Sequence, residues 1–262
     1  MSIDEGLVKA LHVEALRKDA VHDEHEPHVI FQTSTIDALL DGAYDGDISF
    51  GELHEHGDLG LGTLDACDGE MVALDGEFFQ AAVDGTVRRV ADEERTPFAL
   101  VIFFDPDVRF SVTSPLDHHE LLGLLDTRLP AGGACHAVRV DGHFARVKVR
   151  SVPRQHKPYP PLAEVAAQQR VFVLEDVSGT IVGFRFPDYA AGLNVSGYHL
   201  HFITSDRSAG GHVLDCRVRE GDITLDHSSD LHLELPPGVE LETPGAAFSR
   251  RSLLDEIEGD PR

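Results

Sequence analysis

The sequence predicts a β-rich α/β protein of the α+β kind. Asp-Gly pairs separate short apolar runs at Asp75-Gly76, Asp84-Gly85 and Asp141-Gly142, which is the strongest short hairpin signal. Apolar and polar residues alternate along several further segments, as in strands with one covered face. Helical periodicity is confined to short stretches, so a few helices accompany antiparallel sheets. The 262 residues suffice for a sizeable core in one large domain or two modest ones.

In chain order, residues 1 to 28 are expected as a charged, flexible extension. Leu7, Leu11 and Leu16 allow a short amphipathic helix there, and His22, His25 and His28 a loose metal-binding tract. Residues 29 to 32 read as a strand, and Ser34 or Thr35 caps a short helix through Ile36, Leu39 and Leu40 that Gly42 stops. Residues 51 to 63 carry His54, His56 and close-set glycines. They read as a surface loop with runner-up ligands, because no Lys-Ser/Thr completes a phosphate loop. Residues 68 to 90 form an antiparallel meander, with Glu70 at a strand start just past a turn. Residues 98 to 104 are apolar without alternation, as in a strand covered on both faces. Residues 115 to 125 read as a helix, and 135 to 140 with 143 to 149 as the arms of a hairpin. Arg150 stands where the second arm gives way to a Pro-containing turn.

The Pro-rich residues 156 to 161 mark an expected boundary between an N-terminal domain, 29 to 155, and a C-terminal domain, 156 to 262. Beyond it, residues 162 to 169 suggest a short helix, and 170 to 174 with 180 to 186 a hairpin turning at Ser178-Gly179. Strands are expected at 213 to 218, 223 to 225 and 231 to 235, and an acidic helix at 252 to 258.

The formal net charge is -24, from 46 acidic and 22 basic residues, and only Lys9, Lys18, Lys148 and Lys157 are lysines. Such a field repels nucleic acid and anionic membranes. With Arg preferred to Lys, it also fits a protein adapted to high salt, where screening shortens self-repulsion to a few ångströms. No apolar run approaches a membrane span, and the acidic first thirty residues lack a signal peptide's apolar stretch, so a cytoplasmic location is expected. Cys67, Cys135 and Cys216 are an odd, widely spaced set and read as small buried hydrophobes.

The most informative segment is residues 197 to 212. In a strand, His199 and His201 project from one face while Tyr198, Leu200 and Phe202 enter a core. The polar run 204 to 208 and Gly210-Gly211 interrupt the strand, so the chain is expected to turn and bring His212 beside the pair. Three neutral imidazoles leave positions open at a divalent metal, as catalysis needs. The alternative is three strand histidines that merely hydrogen-bond, since sixteen histidines produce such spacings by chance.

Phe31-Gln32-x-Ser34-Thr35, Tyr44-Asp45-Gly46, Gly57-Asp58-Leu59-Gly60-Leu61-Gly62-Thr63 and Leu74-Asp75-Gly76-Glu77-Phe78-Phe79-Gln80 resemble the N-terminal half of the acetolactate decarboxylases. Arg150-Ser151-Val152-Pro153-x-Gln155, Pro158-Tyr159-x-Pro161-Leu162, Gly179-Thr180-x-Val182-Gly183-Phe184 and the His segment through His212 resemble that family's later blocks, in order. The resemblance implies His199, His201 and His212 as zinc ligands, with Glu70, Arg150 and Glu258 lining the site and Thr63 close by. It also implies two domains with the metal in the cleft between them, and a homodimer. The implied reaction converts 2-acetolactate to acetoin, with the metal stabilising an enediolate that is protonated on one face. Arg150 would hold the substrate carboxylate, and Glu70 or Glu258 would deliver the proton. Ser196 departs from the family's usual Pro. Three imidazoles also suit other divalent metals.

Two rival readings share some of these residues. A cupin-type oxygenase also uses His-x-His on a strand, but would carry a glutamate where this chain has Thr204 and Ser205. The other is a non-enzymatic binding module with structural histidines.

Overall fold

In the computed structural model, which describes residues 12–16, 27–129, 134–228, 230–238 and 254, the strands gather into two principal sheets. One has eight strands in the spatial order His12–Leu16, Asp230–Glu234, Val29–Thr33, Ala99–Ile102, Leu59–Thr63, Glu70–Leu74, Glu77–Ala81 and Val87–Arg89. The other has the order Val108–Val112, Gly210–Ser228, Cys135–Ser151, Arg170–Phe186 and Gly197–Thr204, with Leu116–Asp117 added on Gly210–Ser228. Gly197–Thr204 also pairs back onto the start of Gly210–Ser228, so this second sheet closes on itself. Both sheets draw strands from either side of residue 155, so the expected boundary there does not coincide with a division between sheets.

Period-two alternation sorts the side chains into three apolar layers. The central one takes Leu61, Val72 and Leu100 from the first sheet and Ala137, Val182 and Phe184 from the second. The outer face of the first sheet buries Met71, Ala73 and Val101 under Phe50 and Leu53 of the helix Phe50–His54. The other face of the second buries Leu200, Phe202 and Val149 with Leu121 and Leu125 of the helix His118–Asp126. Among the described residues no helix is long and apolar enough to cross a membrane.

The meander forms as expected, and Asp75 and Gly76, at φ 53° and 76°, make the left-handed turn that Asp-Gly favours. The hairpins expected at Asp141-Gly142 and Ser178-Gly179, and the break between the strands at 213 to 218 and 223 to 225, do not form. Cys135–Ser151, Arg170–Phe186 and Gly210–Ser228 are unbroken strands of 17, 17 and 19 residues. Gly142 lies opposite Gly179 on one side and Gly221 on the other, and none of the three has a positive φ. A Cβ on Gly142 would sit 2.6 Å from the Glu220 carbonyl oxygen, so these glycines serve close strand approach instead of turning.

Two other expectations need correction. His12–Leu16 is a strand parallel to Asp230–Glu234, where a helix through Leu16 was expected; its alternation suits the edge pairing available. Phe50–His54 is a helix rather than a loop, fixed by a Ser49–Glu52 capping box. His28 joins no histidine tract in the described residues; its Nδ1 lies 2.7 Å from buried Asp226. The acidic segment 252 to 258 lies outside the described residues except Leu254, which is buried in the central layer.

The turn after Gly197–Thr204 is built on Thr204, whose hydroxyl accepts the Ser208 and Ala209 N–H groups. Gly211 then has φ +146°, and a Cβ there would lie 2.4 Å from the Arg150 carbonyl oxygen. Gly211→Ala is therefore expected to destabilise the chain by about 1–3 kcal/mol in chemical unfolding. A variant as stable as the parent would show that this approach tolerates a side chain.

Candidate active site

Directly opposed residues of an antiparallel pair share a face. Arg150 stands opposite His212, and His212 opposite His201, so three strands align three polar side chains in a row. His199, two residues before His201, lies on the same face. On the first sheet Thr63 stands opposite Glu70. Leu59, Leu61, Val72 and Leu74, which share their faces, belong to the central layer, so Thr63 and Glu70 face the second sheet. All six side chains are buried, Glu70 being the most accessible at 7 %.

The expected return of His212 is thus observed. The three imidazole centroids are 5.1, 5.1 and 5.3 Å apart, and one ring nitrogen from each lies within 4.8 Å of the others. His201 Nδ1 lies 2.7 Å from the Met71 carbonyl oxygen, an acceptor, so that nitrogen carries a proton and the neutral form of the ring presents its lone pair at Nε2. Glu70 Oε2 is 3.5 Å from that Nε2. Burial first, and the Arg150 charge second, push His199 down to about 3, which keeps its imidazole neutral. The donor set therefore fits a divalent cation: three close nitrogens, a ring oriented through its other nitrogen, and room for exchangeable ligands.

The pocket in front of the row holds about 420 Å³ of empty space, solvent at its mouth included. Thr63 lines it, its hydroxyl donating to the Gly69 carbonyl at 2.7 Å just before Glu70. Glu258 lies outside the described residues. His54 is exposed and His56 stacks on Phe31 at 3.9 Å; neither joins the triad.

Several participants escaped sequence reasoning. The Met71 carbonyl is backbone and carries no residue signal. Cys67 lines the pocket at φ 53°, and burial, then the Glu70 charge, push its thiol up to about 12. Ile36, Leu39, Phe98 and Leu162 also line the pocket, where the sequence had shown helix and strand core.

A buried polar row and apolar side chains thus line one small pocket, a site suited to a small molecule. Residues 30–243 match the family model for alpha-acetolactate decarboxylase. The alpha-acetolactate decarboxylase of Methanosarcina mazei is 52% identical over 230 residues, covering 88% of this chain and 80% of that protein. The one from Methylococcus capsulatus is 46% identical over 237 residues, covering 90% and 91%. The crystal structure of the Bacillus subtilis strain 168 enzyme aligns with a TM-score of 0.83 at 38% identity, over 88% of this chain and 100% of that one. The chain belongs to the alpha-acetolactate decarboxylase family, whose members are carboxy-lyases.

Proposed function

We propose that this chain converts 2-acetolactate to acetoin and CO2 with a divalent cation, zinc, held by His199, His201 and His212. The observation that carries this reading is the single row of His201, His212 and Arg150, with Glu70 beside it. When bound, the cation supplies Lewis-acid stabilisation of negative charge developing on the substrate oxygens. Arg150 holds the substrate carboxylate by two parallel N–H···O bonds and so orients the carbon–carbon bond to be broken. As CO2 leaves, the bonding pair passes into the neighbouring ketone to give an enediolate. A glutamic acid then transfers its proton to one face of the carbon that lost CO2. Glu70 or Glu258 fills this role. Thr63 keeps the Glu70 strand start in place, and burial keeps bulk water from protonating the opposite face.

The proposal extends to a cytoplasmic homodimer adapted to high salt. The support for the last is the net charge of -24 with four lysines.

Racemic 2-acetolactate is expected to yield acetoin, chelator to abolish turnover, and zinc to restore it. Dialysed protein should retain about one tightly held cation per chain, and His201→Ala should release it. Undiminished activity in a metal-free preparation would sink the metal assignment. Glu70→Gln and Glu258→Gln are each expected to lower acetoin formation by about 10²–10⁴-fold and to uncouple CO2 release from formation of a single enantiomer. Parental rates and optical purity in both variants would exclude the carboxyl roles. Unfolding midpoints should rise steeply with salt; full stability in dilute buffer would remove the halophilic reading.

A further inference from the structure

Four apolar side chains line the pocket as a wall that the proposed chemistry does not use. Ile36 and Leu39 come from the helix Ile36–Leu40, Leu162 from the helix Leu162–Ala166, and Phe98 precedes the strand Ala99–Ile102. The wall is braced. Thr35 caps the first helix by accepting the Ala38 N–H at 3.1 Å, and the Ile36 N–H donates to the Leu193 carbonyl at 3.0 Å. Ahead of the second helix, the Tyr159 ring lies 5.3 Å from the Tyr44 ring, and both the Tyr159 hydroxyl and Lys157 Nζ reach Asp45, at 3.1 and 2.7 Å. The two helices lie against each other.

Leu39 and Leu162 line the pocket and retain 7 % and 6 % exposure, against 1 % for Ile36 and Phe98. We propose that Leu39 and Leu162 set the size limit for the alkyl group on the carbinol carbon of a 2-hydroxy-3-oxo acid, selecting methyl over longer chains. The inference rests on the decarboxylase reading. With Arg150 and the imidazole side engaging the oxygens, the substituents of such a substrate have the apolar side left to occupy. None of the four wall side chains has a polar atom, so selection there is steric. In an apolar pocket one methylene changes specificity by about 10–200-fold.

The test compares kcat/KM for 2-acetolactate and for its homologues with ethyl or propyl in place of the carbinol methyl. Leu39→Ala and Leu162→Ala are expected to raise the propyl-to-methyl ratio by about tenfold or more, and Leu162→Phe to lower the ethyl-to-methyl ratio. If either alanine variant fails to fold by circular dichroism, Leu39→Val and Leu162→Val read the same ratio with a smaller truncation. Wild-type protein that does not turn over 2-acetolactate overturns the decarboxylase reading. Wild-type turnover with ratios unchanged in every folded variant overturns the wall and leaves the decarboxylase reading standing.

Discussion

Cross-strand register is the constraint on which the rest of the site depends. Side chains in a strand alternate faces, so a one-residue slip of Gly210–Ser228 would turn His212 into the apolar layer on the far side and carry a hydrophobic neighbour into the pocket. Two features hold the register. Leu200, Phe202 and Val213 fill the opposite layer and penalise the slip by exposing their area. The Thr204-centred turn fixes the length of the return, and Gly211 lets that return pass against the Arg150 backbone. His212 consequently lies between His201 and Arg150, and one strand serves both the candidate ligand set and the candidate carboxylate clamp.

Burying this row in an otherwise apolar layer works against folding, since desolvated polar groups must be bonded or neutral. The arrangement answers in two ways. The His199 imidazole stays uncharged, as burial and the Arg150 charge dictate, and neutral imidazole is also the form that donates to a metal. The His201 ring is anchored through Nδ1 on a main-chain carbonyl that the sheet already holds in place. Stability and readiness to bind a cation therefore favour the same protonation state.

Much of this was legible in the residues. His-x-His at strand spacing with a turn before His212 specified the triad, and the Asp-Gly meander fixed where Glu70 would start its strand. The same Asp-Gly logic failed at Asp141-Gly142, because a hairpin and a close strand crossing both call for glycine. Only the partners distinguish them: Gly142 is flanked by Gly179 and Gly221, a row that no local window reveals. His12–Leu16 was missed for a related reason, since an edge strand with a distant partner shows helical spacing as readily as alternation over so few residues. The Met71 carbonyl and the Leu39–Leu162 wall belong to tertiary packing and left no trace in composition.

The spacing between the proposed acid and the proposed clamp then follows from how the sheets are joined. The Ser151 hydroxyl, next to Arg150, donates to the Ala81 carbonyl at 2.8 Å, and Ala81 is the register partner of Glu70. The Gly69 N–H, on the other side of Glu70, donates to the Val152 carbonyl at 3.1 Å. His201 bonds the Met71 carbonyl immediately after Glu70. Glu70 is thus bracketed by bonds to the strand and turn that carry Arg150 and to the strand that carries His201. Any slide of one sheet over the other would break these bonds before it changed the spacing between carboxyl, guanidinium and imidazole. The proposed protonation of one face of a short-lived intermediate would need that kind of fixed separation, which ordinary inter-sheet hydrogen bonds can supply here.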